Sequence, residues 1–126
     1  MKKTRMKLAT ALALIGVSVV AAAEERIVEV WNCKAEDGKT IEDIHKANGK
    51  WVKYMNAHVD GGDIVSYVLQ PIVGKSSTFM YADSFPSMAS WGAAKAHESE
   101  ELTAIEEELN SVAVCSENTL HNSKAS

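Results

Sequence analysis

From Arg26 to Lys34, "RIVEVWNCK", the chain alternates β-branched and aromatic residues and so predicts a strand. Ile27 and Trp31 fall on one face of it, Val28 and Val30 on the other. "AEDGKT" then reads as a turn, and Thr40 followed by Glu42 and Asp43 marks a helix start with acids in the first turn. Ile41, Ile44, Trp51, Val52 and Met55 recur at helical spacing to about His58, where the glycines of "VDGGD" stop the helix. The segment "IVSYVLQPIV", 64–73, predicts a second strand, and Pro71 puts it at a sheet edge because proline cannot donate to a ladder. "GKSS" turns into a third strand over 78–85, completing a hairpin. The stretch "PSMASWGAAKAHESEELTAIEEELN" is helical, with Met88, Trp91, Leu102, Ile105 and Leu109 on one stripe, and Ser99 is placed to cap a fresh segment. A last strand is expected over about 111–119, before a polar tail expected to be mobile at its end.

The order β-α-β-β-α-β predicts a ferredoxin-like α+β fold, an antiparallel four-stranded sheet with two helices on one face. Its first and last strands are antiparallel neighbours, with Cys33 near the end of one and Cys115 near the start of the other. The N-terminal residues have a different character. Lys2, Lys3, Arg5 and Lys7 precede an apolar run from Leu8 to Ala22, with small residues at Ala21 and Ala23. That layout predicts a secretory signal peptide over 1–23, leaving one domain at 24–126 in the periplasm or outside the cell, with no membrane segment after cleavage. The run is shorter than the roughly 20 residues of a spanning helix. Four of the 13 basic residues and none of the 17 acidic ones lie before Glu24, so the remainder carries a net charge of −8. With no basic stripe, that acidity argues against nucleic-acid binding. In an oxidising compartment the two cysteines are expected to pair as a Cys33–Cys115 disulfide, worth about 3–4 kcal/mol in the chain-entropy model. The alternative is two separate buried thiols.

The segment "STFMYADSFPSMASWGAAKAHESEEL" resembles the third strand and second helix of the dimeric α/β-barrel superfamily, including its antibiotic-biosynthesis-monooxygenase-like group. The matching features are Asp83, Ser84, Phe85, Met88, Trp91, His97 and Ser99. The resemblance implies a homodimer whose sheets pack face to face as a barrel, with a pocket in each subunit between helices and sheet. The pattern of the first strand agrees: it is apolar on both faces, and two helices shield only one.

Candidate chemistry centres on amides, aromatics and histidines. Asn48 lies within the apolar stripe of the first helix and His45 borders it, on the face that lines the implied pocket. Cofactor-free oxygenases of the resembling group steer aromatic substrates with such groups, which makes His45, Asn48 and Trp91 candidate catalytic residues. Histidine titrates near neutrality and can serve as a base. Asn32, Tyr67, Tyr81 and His97 are candidate ligand contacts. Packing roles are the alternative for each: a turn-satisfying Asn32, a core Trp91, a solvent-edge His45 beside a hydrogen-bonded Asn48. Haem-degrading members of the superfamily use a first-strand asparagine with a tryptophan and a histidine of the second helix. Asn32 and Trp91 resemble the first two, but His97 lies closer to Trp91 than that ligand does, and Glu101 stands about where it would be. His97 and Glu101 have an i, i+4 spacing that suits a metal, yet no third ligand is evident, and no metal site is expected. The expectation is a binding protein for a small apolar or aromatic molecule, working without a cofactor and, if an enzyme, a monooxygenase. A non-catalytic binding or interaction module is the alternative, and haem binding a third.

Overall fold

The computed structural model describes residues 25–74 and 77–126; the leader expected at 1–23 and the centre of the "GKSS" turn lie outside them. Strand β1 (Glu25–Ala35) is followed by α1 (Ile41–His58), the strands β2 (Val65–Leu69) and β3 (Phe79–Phe85), helices α2 (Met88–Ala96) and α3 (Glu100–Val112), and strand β4 (Ala113–Lys124). The sheet runs in the order β2-β3-β1-β4 with every pair antiparallel. This is the expected ferredoxin-like topology, with the second helix divided in two.

Local chemistry accounts for the boundaries. Thr40 and Asp43 form a capping box at the start of α1: the Thr40 hydroxyl accepts from the Asp43 amide and the Asp43 carboxylate accepts from the Thr40 amide at 2.9 Å. Past the other end, Gly61, Gly62 and Asp63 all adopt positive φ, which the glycines tolerate and Arg26 braces at Asp63 through its side chain and carbonyl. Asn56 laces this turn to the sheet by bonding both the amide and the carbonyl of Ile64. The α2–α3 break occurs at His97, whose backbone is extended, and Ser99 caps α3 by accepting from the Leu102 amide at 3.0 Å, as its position in the sequence suggested.

Three expectations need correction. Strand β2 ends at Leu69, not Val73; Pro71 interrupts pairing, and Ile72 and Val73 are almost fully exposed. Met88 is half exposed and stands off the stripe formed by its helical neighbours. Strand β4 runs to Lys124, which pairs with Glu25, and does not end near Thr119, so most of the polar tail is edge strand. Its residues after Ala113 are all exposed, so no buried face imprints an alternation on the sequence. Near its start β4 bulges, passing from Cys115 opposite Cys33 to Glu117 opposite Asn32. Cys33 and Cys115 are bonded as expected, Cys33 buried and Cys115 exposed.

All three helices cover one face of the sheet. Two apolar clusters form there, one around Ile44, Phe79 and Val112, the other around Met55, Phe85 and Leu102. The opposite face carries Val28, Val30, Met80, Val65, Tyr67 and Leu69, and the last three are exposed.

Candidate functional site

Between the two apolar clusters, one row of the sheet is polar on the helix side. Ser66 pairs with Asp83 across β2 and β3, and Asp83 pairs with Glu29 across β3 and β1. Both carboxylates are buried, Glu29 to 2 % and Asp83 to 7 % exposure. Acids are almost never buried so deeply without partners, and these have them. Lys95 of α2 forms an ion pair with Glu29 at 2.6 Å, the Trp91 indole donates to Glu29 at 3.2 Å, and Asn118 of β4 donates at 2.7 Å. Asp83 accepts from Ser66 at 2.5 Å, and Ser66 accepts in turn from Asn48 of α1 at 2.9 Å. Among the described residues only Ser66 donates to the Asp83 carboxylate.

A cavity of about 280 Å³ opens beside this row, walled by Trp31, Trp51 and Tyr81 and reached by Asn48, Asp83 and Lys95. The Lys95 ammonium sits 5.2 Å from the Trp31 ring centroid, within cation–π range. The Tyr81 hydroxyl is buried and has no hydrogen-bond partner among the described residues. Burial, helped by the charge of Asp83, pushes the tyrosine up to about 12, so it stays a donor. Burial also pushes the Asp83 carboxyl up to about 6; the Ser66 bond opposes this, Glu29 adds to it and Lys95 offsets it. A carboxyl of that kind in a cleft is a functional-site signal.

The raised Asp83 value has a consequence for stability. The folded chain holds this proton more tightly than the unfolded one, so the group's contribution is present below about pH 4 and is lost as pH rises through about 6. Asp83→Asn is therefore expected to stabilise the protein at about pH 8 by about 1–3 kcal/mol and to change little at about pH 3.5. Urea unfolding at the two pH values checks this, and an equal effect at both would refute it.

Of the residues singled out from sequence, Asn48 and Tyr81 line the cavity, and Trp91 stands behind it, bonded to the Glu29 carboxylate that holds the lining residue Lys95. The others lie elsewhere. His45 follows inward-facing Ile44 on α1 and is exposed. Tyr67 is 56 % exposed on the open sheet face, and Asn32 is exposed on that same face, because its neighbours Trp31 and Cys33 point toward the helices. Asn32 and Trp91 are thus on opposite sides of the sheet, and the residues of the haem-degrading arrangement are not assembled. His97 belongs to a separate cluster, where its Nε2 meets the Tyr54 hydroxyl at 2.7 Å and Ser99 meets the same hydroxyl at 2.5 Å. Glu29, Ser66 and Lys95 are site residues beyond those expected from the sequence, where Asp83 stands only as a motif position. Their signal was available: Glu29 stands between Ile27 and Trp31 on the inward parity of β1, and Asp83 between Tyr81 and Phe85 on that of β3.

No protein-family model matches the sequence, and no curated protein matches it. The fold is similar to that of SnoaB, a cofactor-independent oxygenase from Streptomyces nogalater, with a TM-score of 0.59 and 11 % identity over 81 % of this chain and 96 % of that one. It also aligns with a conserved protein of unknown function and possible oxidoreductase from Bacteroides thetaiotaomicron VPI-5482, with a TM-score of 0.48 and 11 % identity over 82 % of this chain and 100 % of that one. The chain therefore has a ferredoxin-like α+β fold, similar to that of SnoaB.

Proposed function

We propose that the protein is an exported α/β-barrel dimer that binds a small apolar or aromatic molecule and oxygenates it without a cofactor. The observation that carries this reading is the cavity: three aromatic side chains wall a space that Asp83, with its elevated carboxyl, also lines, and the buried hydroxyl of one of the three, Tyr81, has no partner among the described residues. Mostly apolar walls with a few convergent polar groups are the usual make-up of a ligand site. Dioxygen reacts slowly with closed-shell molecules unless they are made electron-rich by losing a proton. A pocket that desolvates an aromatic ring and offers a proton acceptor supplies both conditions. For a methylene group the balance is then one oxygen atom into the product as a carbonyl and the other into water with the two substrate hydrogens. The fold shared with SnoaB is compatible with this chemistry, and Asn48, Tyr81 and Trp91 are the sequence-derived candidates that lie at or beside the cavity.

Export and dimerisation rest on separate supports. A disulfide is what an oxidising compartment preserves, which agrees with residues 1–23 acting as a cleaved leader. The open sheet face presents Val65, Tyr67 and Leu69 beside half-buried Val28, Val30 and Met80, an apolar patch suited to a second copy. Tyr67→Glu is expected to turn a dimer into a monomer in sedimentation, with the helical signal unchanged; a wild-type chain that is monomeric at all concentrations would remove the dimer.

The test of function is binding and oxygen uptake on unreduced protein. Polycyclic aromatics are expected to quench Trp31 and Trp51 fluorescence saturably, and hydroxylated ones to drive cofactor-free oxygen consumption. Asn48→Ala and Trp31→Ala should each weaken binding about tenfold, the equivalent of about 1.4 kcal/mol. Unchanged binding in both would overturn the cavity assignment. Saturable binding without oxygen uptake would make the protein a carrier.

A further inference from the structure

We infer that Tyr81 and Asp83 form a donor–acceptor pair that selects an uncharged ligand bearing a hydroxyl group, with Tyr81 donating to its oxygen and Asp83 taking its proton. This rests on the reading of the cavity as a ligand site and adds which chemistry it accepts. The two residues are two apart on β3, so their side chains leave the same face of one strand and enter the same cavity. The Tyr81 hydroxyl is a buried donor with no described partner, and leaving such a group unpaired is costly. A ligand oxygen would satisfy it. The carboxylate beside it accepts from Ser66 at one oxygen, Oδ1, and among the described residues nothing donates to the other.

Charge decides against an anion. Lys95 is the one cation among the cavity-lining residues, and it is held by Glu29 at 2.6 Å. Asp83 and Glu106 also line the space. The groups around Asp83 are therefore Glu29 from β1, Lys95 from α2, Tyr81 on its own strand and Glu106 across the cavity on α3, with neutral Ser66 and Asn48 from β2 and α1 and Asn118 from β4 on the far side of Glu29. An incoming carboxylate meets a net negative wall, whereas a neutral hydroxyl meets an acceptor for its hydrogen and a donor for its oxygen. In the proton transfer the O–H bond breaks, its electron pair stays on the ligand oxygen where Tyr81 donates, and the proton bonds to Asp83. No oxidant enters this step.

Two probes with one ring system test it: 2-naphthol, neutral near pH 7, and 2-naphthoate, an anion. The naphthol is expected to bind at least about tenfold more tightly, and Tyr81→Phe to weaken naphthol binding severalfold by withdrawing one hydrogen bond. In the wild type, naphthol affinity should rise severalfold from about pH 5 to about pH 7 as Asp83 becomes an acceptor, and in Asp83→Asn the profile should be flat. Both substitutions are nearly isosteric, and far-ultraviolet dichroism verifies their folds. Tighter binding of naphthoate, or an unaltered pH profile in Asp83→Asn, overturns the inference while leaving the cavity as a ligand site. Failure of both probes to bind overturns the inference and the cavity reading together.

Discussion

Reduction of the Cys33–Cys115 disulfide is expected to lower the unfolding free energy by about 4 kcal/mol, a large share of the ~5–15 kcal/mol typical of a domain. The two cysteines are 82 positions apart, so the bridge closes a loop containing α1, α2, α3 and the β2–β3 hairpin. In the chain-entropy model, removing so long a constraint chiefly frees the unfolded ensemble. The bond also joins the end of β1 to the start of β4 at a directly opposed position, beside the bulge that re-aims the outer strand. Loss of the link is expected to loosen β4 first, because that strand is exposed along almost its whole length and has no apolar face to hold it. The measurement is a pair of urea titrations, oxidised and reduced, with hydrogen exchange on β4 amides. Equal midpoints in the two states would refute the prediction. Earlier exchange confined to 113–124 in the reduced protein would locate the weakness.

The same strand shows what the sequence could and could not convey. Strands β1 and β3 announce themselves through runs of β-branched and aromatic residues, because they are the two central strands of the sheet and β3 is buried on both faces, and α1 does so through its cap and its 3.6-residue stripe. Strand β4 is polar over "SENTLHNSK" except at Leu120, because an edge strand exposed on both faces needs few apolar residues; only its pairing with β1 defines it. The cysteine pairing was legible because the predicted topology sets those strand ends side by side. The site was less so. Asn48 stood out as an amide on an apolar stripe, and Tyr81 as an aromatic in a strand. Glu29 and Asp83 each stand at an inward position of their own strand, but their joining with Ser66 into one row exists only once three strands are placed in register. Asn32 and Tyr67 show the reverse case: chemistry legible in the sequence, on a parity that points away from the helices.

Glu29→Ala is expected to destabilise the protein by about 3 kcal/mol, toward the lower end of the ~3–5 kcal/mol seen when one partner of a buried ion pair is removed. The lower end applies because the Lys95 side chain keeps 39 % of its exposure and can turn to water, whereas Glu29 keeps 3 %. What cannot relax so easily is the rest of the node. The Trp91 indole would lose its acceptor, Asn118 its tie to β1, and the space vacated by the carboxylate would lie between the two apolar clusters. Lys95 would also leave the Trp31 ring, opening the cavity wall, so ligand affinity should fall with stability. A second variant separates packing from charge. Replacing Glu29 and Lys95 together by methionine fills the same volume without an unpaired ion, and is expected to recover most of the stability, to within about 1 kcal/mol of the wild type. If the double variant is as unstable as Glu29→Ala, the buried pair is needed for folding. If it is stable but no longer distinguishes a neutral ligand from an anion, the carboxylate row was retained for what it does in the cavity, since its burial does not improve the fold.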